Sequence, residues 1–120
     1  MFFDIFHALQ RVFQENLKNI DDYLGLYTCS LVTDKPYIRM VMKENGQKHG
    51  QIALDIIPHY QGHYRLETML RRVRQSLSQP IQGQGFYLIL KEKRYEVQGS
   101  DPNHVAGVIT YDFRYGQEEK

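Results

Sequence analysis

Apolar residues recur at spacings of three and four along the start of the chain, at Phe2, Ile5, Phe6, Leu9, Val12, Phe13 and Leu17. With Gln10, Arg11, Gln14 and Glu15 falling between them, this spacing predicts an amphipathic helix over residues 2 to about 18. The pattern then weakens. Ile20, Tyr23, Leu24 and Leu26 fit a short helical turn stopped at Gly25, and residues 27–32 fit a short extended piece. After Pro36 the period changes to two: Ile38, Met40 and Met42 alternate with Tyr37, Arg39, Val41 and Lys43, which predicts a strand with the even positions toward the core. The polar stretch 44–50 reads as a loop, its Asn45-Gly46 pair being hairpin-turn chemistry. A second strand follows over 51–57, with Ile52, Leu54 and Ile56 on one face and Pro58 at its end.

The helical period returns over residues 64–78, where Leu66, Met69, Leu70, Val73 and Leu77 form the apolar stripe. Pro80, Gly83 and Gly85 end that helix. Phe86, Leu88 and Leu90 then alternate with Tyr87 and Ile89 in a strand reaching about Val97, and the turn at 99–103 contains Asp101-Pro102-Asn103. Val105, Gly107, Ile109, Tyr111, Phe113 and Tyr115 give the clearest alternation in the chain, before a charged tail at 116–120 expected to fray. Strands joined by hairpins favour antiparallel pairing, and two apolar helix stripes need one sheet face to cover. The expected fold is α+β in the order α-β-β-α-β-β. It has a single-layer, mainly antiparallel four-stranded sheet with both helices on one face. With 120 residues, one domain spans the sequence.

Composition narrows the functions. Fifteen basic residues stand against fourteen acidic ones, which disfavours a protein whose main task is wrapping nucleic acid. A lone cysteine, Cys29, excludes an internal disulfide and a cysteine-built zinc site. No apolar run reaches the roughly 18 residues that span a bilayer. Of the five histidines, His59 and His63 straddle a turn, His49 and His104 fall in other loops, and His7 lies on the first helix. Asp21-Asp22 read as a cap, while Asp55 and Asp112 sit within strands, free to meet each other or to pair with Arg39 or Arg114. Gln82-Gly83-Gln84-Gly85 lacks the lysine and the following helix of a phosphate loop. The sequence therefore predicts no catalytic, metal or cofactor-binding residue, and no enzyme. Its clearest charged cluster is Arg65, Arg71, Arg72 and Arg74 on the second helix, expected to form a positive side suited to carboxylates or phosphates; Lys91, Lys93 and Arg94 extend it, diluted by Glu92 and Glu96.

Several segments in order carry a resemblance: the amphipathic first helix, Lys35-Pro36-Tyr37-Ile38 opening a strand, and Ile52-Ala53-Leu54-Asp55-Ile56 followed by the helix Leu66 to Leu77. The last is the Asp-Pro-Asn turn leading into Val108-Ile109-Thr110-Tyr111-Asp112-Phe113-Arg114. Together they resemble the tail terminators, small tail-completion proteins of long-tailed bacteriophages and gene transfer agents. The resemblance implies a structural virion protein assembled in the bacterial cytoplasm. It implies a hexameric ring that ends the tail tube and meets a head-completion or connector protein, with DNA only passing through its channel and no membrane. On this reading Arg65, Arg71, Arg72, Arg74, Asp112 and Arg114 are candidates for the contact between copies. Asn45, Gly46, Gln47, Lys48, His49, Asp101 and Asn103 are candidates for the contact with tube or connector. Another neck component, head-completion or connector-stopper, is the nearest alternative; a small nucleic-acid-binding module, favoured by the arginines, would bind DNA in a salt-dependent way.

Overall fold

In the computed structural model, which describes residues 1–59, 62–99 and 105–117, two helices and six strands follow one another. They are α1 (Phe2–Asn16), β1 (Leu26–Tyr27), β2 (Tyr37–Gly46), β3 (His49–Ile57), α2 (Gly62–Ser76), β4 (Ile81–Gln82), β5 (Phe86–Gln98) and β6 (Ala106–Gln117). The side chains of Gly62 and His63 lie outside the description. The fold is α+β, and its sheet is larger than the sequence pattern implies. Six strands run in the order β1-β2-β3-β6-β5-β4, and β1 lies parallel to β2 while every other pairing is antiparallel. The four expected strands form its centre. The additions, β1 and β4, are two residues long each, too short to leave a period in the sequence, and of the extended piece expected over 27–32 only Tyr27 is strand. Backbone hydrogen bonds place β1: Leu24 N–H donates to the Pro36 carbonyl at 2.9 Å, and Ile38 N–H to that of Gly25 at 3.1 Å.

Two boundaries differ from the sequence expectation. The stretch 44–50 is mostly strand, with Gln47 and Lys48 alone forming the turn between β2 and β3. Asn45 is a bulge, since Glu44 pairs with Gly50 and Gly46 with His49. The turn sits two residues later than Asn45-Gly46 because longer strands gain ladder bonds, and because the Lys48 carbonyl accepts the Tyr115 N–H at 2.7 Å, tying the turn to β6. Lys48 takes the left-handed conformation that closes it, with φ 66°. At the other boundary, Gly116 and Gln117, expected in a frayed tail, pair with Tyr87 and Phe86 of β5. Residues 118–120 lie outside the description.

Opposed residues of paired strands share a face. Ile38, Met40, Ile52, Leu54, Ile56, Leu88, Ile109, Tyr111, Phe113 and Tyr115 form the inner face, all buried. Both helix stripes join them in one core: Ile5, Ala8, Leu9, Phe13 and Leu17 around α1, and Leu66, Met69, Leu70, Val73 and Leu77 around α2. α2 comes close to the sheet at Gly107, where an added Cβ would lie 3.0 Å from Leu66 Cδ1. The first turn of α1 is fixed to the last strand by Tyr115, whose hydroxyl donates to Asp4 Oδ2 at 2.7 Å. No described helix lies over the outer face of the sheet, and Gln51, Ala53, Asp55, Ile57, Val108 and Thr110 there are half-buried.

Candidate assembly surface

Register assigns the outer-face side chains to rows across the four long strands. In one row Arg39 opposes Asp55, and its Nε donates to Asp55 Oδ2 at 2.7 Å while its Nη1 reaches Ser30 Oγ at 2.9 Å. One of the two sequence alternatives for Asp55, pairing with Arg39, is therefore realised. Toward the β2–β3 turn, Lys43, Gln51, Asp112 and Lys91 lie side by side on β2, β3, β6 and β5. Asp112 accepts a long hydrogen bond from Gln51 Nε2, at 3.4 Å. Next along the strands, Arg114 stands between His49 and Ile89. Asn45, His49, Ile89, Lys91, Asp112 and Arg114 line a shallow, open depression of about 440 Å³.

This depression gathers residues the sequence had placed in two separate groups: Asn45 and His49 from the loop candidates, Asp112 and Arg114 from the interface candidates. Gly46, Gln47 and Lys48 adjoin it at the exposed hairpin end. Asp101 and Asn103 lie outside the described residues. Lys43 and Lys91 are the neighbours that the sequence did not bring together with Asp112. Their charge was visible, but adjacency depends on β3 and β6 being central partners, which no local pattern encodes.

The arginines of α2 do not make one positive side. Arg65 and Arg72, seven residues apart, share the flank toward α1 and the chain before it. Arg65 Nη1 contacts the Pro58 carbonyl and Arg72 Nη1 the Asn16 carbonyl, each at 3.4 Å. Arg74 lies on the opposite flank, where it forks onto Glu92 of β5 at 2.7 and 3.1 Å and stacks its guanidinium 4.9 Å from the centre of the Tyr95 ring. Arg71 alone points outward, near exposed Tyr64 and Glu67.

The sheet also has two open margins. β1 covers the outer edge of β2 only at Ile38 and Arg39, and β4 that of β5 only at Leu88 and Tyr87, so among the described residues 40–46 pair with β3 alone and 89–98 with β6 alone. The row from Lys43 to Lys91 runs from one open margin to the other. Each margin carries a bulge, at Asn45 and at Lys93, and charged side chains, features that discourage direct sheet extension. β6, expected to help join copies, is an interior strand, so only its outward side chains such as Asp112 and Arg114 are available.

Among the described residues no group of three or more His, Cys, Asp or Glu side chains is placed to hold a metal ion. His7 packs beside the rings of Phe3 and Phe6, His59 beside Tyr37, and Cys29 is exposed. No described helix is long and apolar enough to cross a membrane. Neither a scan against protein-family models nor a search of curated proteins found a match to this chain.

Proposed function

We propose that the chain is a non-enzymatic ring subunit of a phage-type tail, a tail terminator that ends the tube and presents a surface to the head-completion or connector protein. The observation that carries this reading is the division of the molecule into a covered face, an uncovered face and two open margins at the same level on opposite flanks. Lateral repetition around a closed ring needs two different flanks that meet head to tail. Here they are the β2 margin of one copy and the β5 margin of the next, meeting through side chains, with the helices outward and the bare sheet face turned to the channel.

Dimensions support the arrangement. The chain extends 49 × 26 × 24 Å. With the long axis along the channel and six copies spaced one 26 Å width apart, subunit centres sit about 26 Å from the axis. Half of the 24 Å thickness then leaves a passage roughly 28 Å across, enough for a duplex. The order and spacing of elements that resemble tail terminators point the same way. Removing this chain from the particle that encodes it is expected to give heads and tails that fail to join. Joined, infectious particles in its absence would refute the proposal.

A further inference from the structure

We infer that the hairpin end of the uncovered sheet face is a contact surface for the phosphate backbone of duplex DNA. The inference builds on the ring reading, in which this face looks into the channel, and it rests on an imbalance of charge along the face. Away from the hairpin Arg39 is paired with Asp55, and Arg94 with Glu96 at 3.4 Å. At the hairpin end Lys43, Lys48, Lys91 and Arg114 are all exposed, and the acids beside them are Asp112 and Glu44.

The layout discriminates between ligands. Lys43 and Lys91 lie on the first and fourth strands of the row, about 14 Å apart at the ordinary strand spacing, and Arg114 is offset about 7 Å along β6. Cations so dispersed do not converge on one carboxylate or a single phosphate. They match a distributed polyanion, and a duplex presents a charge every 1.7 Å or so along its axis. The open depression has no closed pocket to read a base or a side chain, so the contact is independent of sequence. Asp112, in the middle of the row, keeps that contact weak, as suits a surface past which DNA must move.

The test is fluorescence anisotropy of a labelled mixed-sequence duplex titrated with the full chain. Engaging three cations gives binding that falls with about the third power of salt concentration, roughly 40-fold between about 50 and 200 mM. Changing Lys43, Lys91 and Arg114 to glutamate together is expected to weaken binding at low salt at least tenfold. Asp112→Asn is expected to tighten it several-fold, with thermal unfolding confirming that each variant folds. Should the triple variant not fold, Arg114→Gln alone reads the same loss on a smaller scale. No duplex binding by the wild-type chain at low salt, or equal binding by the glutamate variant, overturns the inference. So does binding of an acidic peptide in place of DNA. If rings form and DNA is not bound, this inference fails alone; if no ring forms, the reading beneath it fails.

Discussion

Three tyrosine hydroxyls are more costly to ionise in the folded chain than in the unfolded one. Burial pushes the pKa of Tyr23 and of Tyr111 upward, and donation of its proton to Asp4 raises that of Tyr115. A raised pKa means that the fold prefers the neutral phenol. Its stabilising contribution is complete below the unfolded value of about 10 and is lost as pH rises from there through the folded values. Urea unfolding followed across alkaline pH should therefore show stability declining above about pH 10, with the phenolates of these three tyrosines appearing only as the chain unfolds. Normal phenolate titration of Tyr23, Tyr111 and Tyr115 in the folded protein would contradict this. Tyr111 Oη is buried with no hydrogen-bond partner among the described residues, so Tyr111→Phe removes an unsatisfied group. It should leave stability at neutral pH unchanged or raised by up to about 1 kcal/mol, and soften the alkaline decline. Backbone packing sets a different limit at Gly50, where a Cβ would come within 2.2 Å of the Lys43 carbonyl oxygen. Gly50→Ala should cost about 1–3 kcal/mol in urea unfolding. Sequence shows that glycine only as a loop residue, because the neighbouring backbone that excludes a side chain is brought there by strand pairing.

Among the elements, Arg74 ties α2 to β5 beyond their shared core. Arg74 grips Glu92 before the Lys93 bulge and lies over Tyr95 after it, so the bulge is held from both sides. The ion pair is more than a third exposed, at 40% and 37%, and contributes about 0.5–1 kcal/mol. Its local effect should exceed its global one. Arg74→Leu is expected to speed amide exchange at residues 92–97 and leave α1 unchanged; equal acceleration throughout would mean that Arg74 only adds overall stability. Such pairings explain what the sequence could and could not reveal. Both helix stripes and the inward positions of the four long strands were legible because burial on one face imposes a period. β1 and β4 were not, being defined by neighbours and not by their own residues. The arginines of α2 were visible as a cluster, but their division between two flanks follows from where α1 and β5 pack. Likewise the depression around Asp112 and Arg114 needed the β3–β6 register to bring Lys43 and Lys91 into one row.

At the scale of the molecule, a one-layer sheet with helices on one side leaves its other side and its margins unsatisfied as protein surface. The bulged, charged margins keep isolated copies from joining indiscriminately, while their position on opposite flanks allows ordered repetition. Arg71, the outward arginine of α2, lies away from both margins and from the uncovered sheet face. Arg71→Glu should leave assembly intact, whereas Lys93→Pro at the β5 margin should reduce it. Sedimentation would expose the reverse pattern, which would move the contact to the helix side. The most direct test of the ring is the native mass of the purified protein at high concentration. A closed particle six times the 14.2 kDa chain mass is expected. A single species of chain mass at every concentration would contradict it.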